Sequence, residues 1–370
     1  NVNHSKLIKQ LWTLGIQDKQ LLFVIRRILK APIRMPDGST VYPAKGTPQG
    51  GIISPLLSNI VLNELDWWIS SQWETMPMRK NYVRTRKDNG VAEKTYAYKV
   101  LREKSRLKEC YGLRYADDFR IFCRRRQDAE KLFIATQKWL KERLGLDISP
   151  EKSQIVNLKR KYSEFLGFKM MVKPNGKSGS KTRYTVVSHV SEKRKKKIKK
   201  RASELVAKIK FPADKFEEHK FIMDYNSYVM GIHNYYSMAT HANQDFSEIG
   251  FSVKRTMKCR LGQRLKKSGN SLPQYVQEKY GRSKELRYIR GLFVLPISYV
   301  QTRAPKHRPR NWCVYTPEGR AQVHKSLEKV NLSILHYLME HPVPSESIEY
   351  NDNRLALYCA QQGKCAVTGT

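Results

Sequence analysis

Asp117 and Asp118 are the residues in this chain with the plainest chemical potential. They stand side by side in Tyr115-Ala116-Asp117-Asp118, between two apolar runs, Gly112–Ala116 and Phe119–Cys123, that read as short strands around an acidic tip. Two carboxylates at the apex of a hydrophobic hairpin offer hard oxygen ligands to divalent cations such as Mg²⁺, which is what two-metal nucleotidyl transfer requires. An Asp-Asp turn between two strands is also a common structural device, so the tetrapeptide taken alone favours a plain polar turn.

Other groups of residues gain meaning from their order. Upstream lies Gly46-Thr47-Pro48-Gln49-Gly50-Gly51, followed by Ile53-Ser54-Pro55-Leu56-Leu57-Ser58-Asn59; downstream lie Ser149-Pro150-Glu151-Lys152 and Phe165-Leu166-Gly167-Phe168. Further on, Lys193–Lys197 reads KRKKK, and residues 191–210 hold ten Lys/Arg against two Glu. Tyr225-Asn226, Gly231-Ile232 and Asn234-Tyr235-Tyr236 form a spaced aromatic and polar pattern. At helical spacing Tyr228, Ile232 and Tyr235 share one face, which reads as a buried face. The nine histidines, His4 and His233 among them, show no metal-ligand spacing.

Composition narrows the partner. The 370 residues carry a net charge of +37, about one positive charge per ten residues, while 40% hydrophobic and 10% aromatic content requires a folded core. Such a field points to a polyanion, and nucleic acid is the usual one. No segment approaches the ~18 apolar residues of a membrane span, so no membrane partner is expected. Six scattered cysteines without a C-x-x-C pair exclude a disulfide scaffold and indicate an intracellular chain, in a bacterial cytoplasm or an organelle.

The elements that must position these residues follow from periodicity. Leu7, Ile8, Leu11, Trp12 and Leu14 predict one helix and Leu21–Leu29 a second; Ile33–Met35 and Thr40–Tyr42 predict strands around a turn. Ser54-Pro55 reads as a helix cap with proline in the first turn. A helix carrying Leu132, Phe133, Thr136, Trp139 and Leu140 follows the acidic hairpin, and a strand is expected through Ile155-Val156. Pro174–Lys181 reads as a flexible loop, and Ser191 to about Leu265 as helical. Residues 74–109 are a basic insertion, and residues 266–350, with Ala304–Arg310 (APKHRPR), suggest no particular fold. This order is that of an α+β domain with an antiparallel sheet, followed by helices.

Taken together, the ordered motifs resemble the palm of reverse transcriptases, and the G-T-P-Q-G-G-x-x-S-P-L-L-x-N form is similar to the group II intron-encoded branch. The resemblance spans roughly residues 1–265. It implies a right-hand polymerase palm over 1–175, an α-helical thumb or maturase domain over 176–265, and a basic region suited to DNA binding over 266–350. It further implies that Asp117 and Asp118 hold two Mg²⁺ ions, one lowering the pKa of the attacking 3′-hydroxyl and the other stabilising the leaving pyrophosphate. Pro48, Gln49, Gly50, Tyr115 and Ala116 match positions beside the deoxynucleoside triphosphate and template, Lys152 a general acid for pyrophosphate, and Phe165, Leu166 and Gly167 the primer-gripping strand. Contacts to group II intron RNA fall to Lys193, Arg194, Lys195, Lys196, Lys197, Lys199, Lys200, Asn226 and Asn234. The partners implied are RNA template and DNA primer, intron RNA and target DNA.

Two departures qualify the resemblance. The family's first catalytic aspartate precedes a motif matched here by Asn1–Leu7, so that ligand is expected just ahead of Asn1, and the 370 residues alone are expected to be inactive as a polymerase. Residues 351–370, Leu355 to Gly369 above all, resemble the entrance of an HNH endonuclease domain, with Thr368 where a second cysteine is usual. The leading reading is therefore an RNA-directed DNA polymerase and intron-RNA-binding maturase supporting splicing and retrohoming. The alternative is a non-catalytic RNA-binding splicing maturase, against which the intact pair of aspartates speaks; another bacterial reverse transcriptase lineage should lack the Tyr225–Tyr236 pattern.

Overall fold

The computed structural model describes the chain except residues 1, 36, 49–50, 52, 86–91, 305–329, 347, 362 and 364–370, and all that follows concerns the described residues. It comprises two compact units, residues 1–155 with 308–370, and residues 156–307. The class is mixed α and β with small antiparallel sheets.

In the first unit, helix α1 (His4–Thr13) starts where the Asn3 side chain accepts from Lys6 N, and α2 (Lys19–Leu29) where Asp18 accepts from Gln20 N and Leu21 N. Strands β1 (Ile33–Arg34) and β2 (Thr40–Val41) pair as expected. Helix α3 (Ser54–Ser71) follows, then β3 (Arg84–Thr85), β4 (Ala92–Glu93) and α4 (Thr95–Lys104). The hairpin β5 (Cys110–Tyr115) and β6 (Asp118–Cys123) leads into α5 (Arg126–Trp139) and a π-helical turn, Leu140–Leu144, that ends at left-handed Gly145. Leu7, Leu11, Leu29, Leu57, Leu65, Leu140 and Leu144 form one apolar cluster. The basic insertion is not an open loop: Trp73, Leu101, Cys110 and Leu132 form a second cluster, and Arg102 and Arg124 meet at Glu109. No strand forms at Ile155-Val156, which is ladder-free coil and corrects that expectation.

The second unit opens with a three-stranded antiparallel sheet of β7 (Ser163–Phe165), β8 (Phe168–Ser178) and β9 (Lys181–Val190). The stretch expected to be a flexible loop, 174–181, is the distal part of this long ribbon, because cross-strand pairing continues past a bulge between Pro174 and Lys177. Helices α6 (Glu192–Lys210), α7 (Lys215–Tyr236) and α8 (Ala242–Leu261) follow, then α9 (Gln274–Tyr280) and the small hairpin β10 (Arg287–Ile289) with β11 (Leu292–Val294). Their core runs without a break from Val190 to Val300, so the expected division at residue 265 falls inside one apolar cluster. Beyond it, α10 (Leu332–Glu340) and α11 (Ile348–Ala360) complete the described chain; of the HNH-like segment, Gln362 and residues 364–370 lie outside the described residues. No described helix is long and apolar enough to cross a membrane.

Candidate active site and its supports

The β5–β6 register pairs Tyr115 with Asp118, so the turn consists of Ala116 and Asp117, and Asp118 begins the second strand. The carboxylates thus differ in setting, which corrects the expectation of a symmetric Asp117-Asp118 tip. Ala116 sits at φ 51°, a conformation that costs an L-residue about 1 kcal/mol. Its carbonyl accepts from Arg114 Nη1 at 2.9 Å. Arg114 is itself fixed to α3: it grips Asp66 through Nε and Nη2 at 2.8 and 2.6 Å and donates from Nη1 to Asn59 Oδ1 at 2.7 Å. Asn59 and Asp66, seven residues apart, share one face of α3. The hairpin lies close on that helix, since a Cβ added at Gly112 would stand 2.9 Å from Ile69 Cγ2. At its base, burial pushes the cross-strand thiols of Cys110 and Cys123 up to about 12 and about 11, leaving them packing groups.

Asp117 and Asp118 are exposed and form no ion pair with any described residue, and Tyr115 is exposed beside them. Ionised carboxylates accept only, so an unpaired pair at a braced apex suits a hard divalent cation such as Mg²⁺. No group of three or more His, Cys, Asp or Glu gathers among the described residues.

The loop before α3 is anchored at both ends. His4 Nε2 lies 2.8 Å from Gly46 O, and Gly46 N donates to Val2 O. At the far end Ser54 is the first helical residue, not the expected cap: its hydroxyl donates to Pro48 O at 2.6 Å, and Ile53 takes the cap position. Pro48 is half-buried, while Gln49 and Gly50 lie outside the described residues. Lys152 is exposed in a turn closed by its backbone N–H on Ser149 O, and forms no ion pair with a described residue. The structure therefore brings Ala116 together with the Arg114 brace, and leaves Lys152 by itself.

Phe165–Phe168 is a tight turn, not the single strand expected. Phe165 ends β7, Phe168 begins β8, and Leu166 and Gly167 between them have φ 52° and 83°. Leu166 O accepts from the Tyr235 hydroxyl at 2.9 Å, and Gly167 O from Ser191 N at 2.8 Å. A Cβ on Gly167 would meet Tyr236 Oη at 2.8 Å, so glycine is needed for both conformation and space. Phe168 stacks on Tyr235 with centroids 5.5 Å apart.

Among the expected RNA contacts, Lys193, Arg194, Lys196, Lys197, Lys199 and Lys200 lie on α6, and Asn234 is exposed near the end of α7, accepting from Lys279 Nζ. Two are corrected. Lys195 is buried and bonds Asp245 at 3.0 Å and Glu248 at 2.8 Å; burial pulls its pKa down, but these bonds outweigh it and hold it above the usual lysine value. The bonds from Lys195 and Lys199 in turn hold Glu248 down to about 2. Asn226 is fully buried, donating to Phe293 O and accepting from Leu295 N, so it locks β11 to α7 and has no face for RNA. The buried face of α7 is Ile222, Tyr225, Val229, His233 and Tyr236, one step round from the expected Tyr228, Ile232 and Tyr235; Tyr235 is half exposed.

Sequence reasoning passed over Arg114, Asp66 and the hydroxyl of Tyr235. The signal available for the first two was the i, i+7 pair of polar residues on an otherwise apolar helix, with an arginine inside a strand. For Tyr235 there was none.

The chain matches the family model described as reverse transcriptase (RNA-dependent DNA polymerase) over residues 1–170. It is 28% identical over 288 residues to the group II intron-encoded protein LtrA of Lactococcus lactis, covering 66% of this chain and 48% of that protein. It is 29% identical over 194 residues to a putative COX1/OXI3 intron 2 protein of Saccharomyces cerevisiae, covering 47% and 22%. With an uncharacterized 91 kDa protein in a cob intron of Schizosaccharomyces pombe it shares 25% over 336 residues, covering 79% and 41%. The chain thus spans less than half the length of each of these relatives. With the paired aspartates inside the matched region and the similarity continuing through the helical unit, residues 1–170 match the reverse transcriptase model and the chain as a whole is similar to group II intron-encoded proteins.

Proposed function

We propose that the chain carries the palm and the thumb or maturase region of an RNA-directed DNA polymerase that also binds its group II intron RNA. The palm covers residues 1–175, and the thumb or maturase region begins at 176 and shares one apolar core with residues up to Val300. Residues 266–350 would face target DNA, and 351–370 would open an HNH endonuclease domain. An intracellular site follows from those partners. The observation that carries the reading is the braced apex: two unpaired carboxylates on a hairpin whose backbone is held by Arg114 against α3.

Asp117 and Asp118 would hold Mg²⁺ together with the aspartate expected ahead of Asn1. Bound there, the metal supplies a lowered pKa at the primer 3′-hydroxyl and charge compensation for the leaving pyrophosphate. Arg114 keeps the apex from relaxing, so the carboxylates stay in place at no cost of reordering during the reaction. Pro48, with Gln49 and Gly50, borders the nucleotide and template; Tyr115 and Ala116 form the floor below it. Lys152 would protonate pyrophosphate. The Leu166-Gly167 turn seats the primer end and is held rigid by Tyr235 and Ser191. Lys193, Arg194, Lys196, Lys197 and Lys200 of α6 neutralise intron RNA phosphates, releasing counterions, with Asn234 beside them and Lys199 sharing its charge with Glu248.

The test is extension of a DNA primer on an RNA template by the protein that carries this chain, with and without Mg²⁺. Extension should require Mg²⁺ and vanish in D117N and D118N, while binding of intron RNA persists in both. Extension that survives both substitutions would remove the two carboxylates from the reaction; RNA binding and splicing support with no extension in any form would favour the non-catalytic maturase.

A further inference from the structure

The β8–β9 ribbon is longer than its core requires. Val187 and Val190 near its base are buried, and Phe168 packs against the same cluster. From Lys173 to Lys177 and from Thr182 to Val186 every residue is exposed. This arm reaches roughly 15 Å past its last buried residue. A two-stranded ribbon so exposed is marginal in water, so its length calls for a partner.

The arm's charge says what kind. Residues 165–191 contain five Lys/Arg and no Asp or Glu. At the base Lys169 is paired with Glu192, but Lys173, Lys177 and Arg183 form no ion pair with any described residue. The pairing register and strand alternation set Lys173, Thr185 and Arg183 on one face, and Val172, Val186 and Tyr184 on the other. Lys159 Nζ lies 4.2 Å from the centroid of the Tyr184 ring, and the 157–161 turn that carries it is tied to the ribbon by Val172 N on Leu158 O. One face is therefore cationic with a hydroxyl between the charges, and the other carries Tyr184 and two valines, with Lys177 opposite Thr182 and Lys159 over the tyrosine ring.

We propose that this arm is a docking surface for double-helical RNA, separate from the α6 face, with Lys173 and Arg183 on successive phosphates and Thr185 between them. It rests on the reading above that the chain binds RNA. The wide, shallow minor groove of an A-form helix admits a ribbon and displays 2′-hydroxyls, with which a threonine hydroxyl exchanges hydrogen bonds. An acidic peptide would satisfy the cations but leave the hydroxyl and the aromatic face without a role.

The experiment uses the 370-residue chain and an RNA duplex of about 16 base pairs, with anisotropy titrations between roughly 50 and 200 mM KCl. The triple variant K173Q/K177Q/R183Q should flatten the slope of log K against log salt by about 2–3 and weaken binding by roughly tenfold or more. Its far-UV spectrum and Tm should stay unchanged, as should the Tm of a second variant with residues 175–183 replaced by Asn-Gly, which keeps Pro174 opposite Tyr184. The charge-matched control K9Q/K19Q/K30Q, on α1, α2 and the end of α2, should leave the slope within error. An arm variant with the unmodified slope overturns the arm and leaves the RNA reading standing. So does an equal loss in the control, which would mean that only net charge matters, or an equal loss on a DNA duplex of the same length. Absence of RNA binding by the unmodified chain would overturn the functional reading itself.

Discussion

The turn at Ala116-Asp117 and the turn at Leu166-Gly167 each join antiparallel strands through two residues, and each places a non-glycine residue in left-handed backbone, at φ 51° and 52°. In both, the carbonyl of that residue is held at 2.9 Å by one reaching side chain, Arg114 Nη1 in the first and the Tyr235 hydroxyl in the second. The holders differ in kind. Arg114 comes from the turn's own strand and is set by an ion pair, with Asp66 and Arg114 both mostly buried. Tyr235 comes from α7, sixty-nine residues away in sequence, and is set by ring packing against Phe168. The first turn exposes acids and so needs a support that a nearby charge can provide; the second presents backbone shape and is supported by packing.

The largest expected effect separates presentation from support. D118N should lower metal-dependent extension by roughly a thousandfold, several kcal/mol of charge stabilisation. Because Asp118 is exposed and unpaired, its Tm should move by no more than about 2 °C. A folded D118N protein with normal extension would break the distinction.

Removing the brace should act on both stability and activity. R114L leaves Asp66 mostly buried without its partner and should cost about 3 kcal/mol in chemical denaturation. The double variant R114L/D66L should regain much of that stability, since apolar pairs replace buried ion pairs well, yet still extend poorly. Recovery of extension along with stability would show that the brace does not position the apex.

Acid should loosen the helix that carries the second turn's holder. His233, two residues before Tyr235, lies between the Tyr280 hydroxyl and Ile297 O, and burial holds its pKa down at about 4. Below the unfolded value of about 6.5 the unfolded chain takes up a proton that the folded chain refuses until about pH 4. Its stabilisation is complete above pH 6.5 and is lost as pH falls to 4, roughly 3 kcal/mol in all. Equilibrium unfolding of the chain across that range measures it; a flat profile would mean that His233 takes up its proton as readily in the fold as in the unfolded chain.

The smallest effect isolates one hydrogen bond. Y235F keeps the ring on Phe168 and loses the bond to Leu166 O, for about 1 kcal/mol. It should raise KM for primer–template more than it lowers kcat, whereas G167A, with no room beside Tyr236, should cost about 1–2 kcal/mol in stability first. Equal effects of Y235F on both constants would count against a seating role.

Much of the site was legible locally. The apolar runs around Tyr115–Asp118 placed the hairpin, and Pro55 placed the start of α3, because strand alternation and proline geometry act within a few residues. The two-residue turn was misplaced by one position because Ala116 gives no glycine signal for a left-handed residue. Lys195 reads as one of five surface charges in KRKKK until α8 brings Asp245 and Glu248 over it, about fifty residues later. Asn226 reads as a polar contact until β11 supplies a backbone donor and acceptor at its two ends.

The sequence alone therefore determined a net charge suited to a polyanion, a motif order that resembles group II intron-encoded reverse transcriptases, and which carboxylates could carry metal chemistry, since charge, side-chain type and motif order need no coordinates. Only the tertiary structure decided which charged and polar residues remain free to act. Pairing across long sequence separations consumes Lys195, Asn226 and Arg114 as structural groups and leaves Lys173, Lys177 and Arg183 on the arm without an ion pair to any described residue. The physical reason is that a buried polar group must find a partner, and the chain supplies that partner from wherever the fold brings one near.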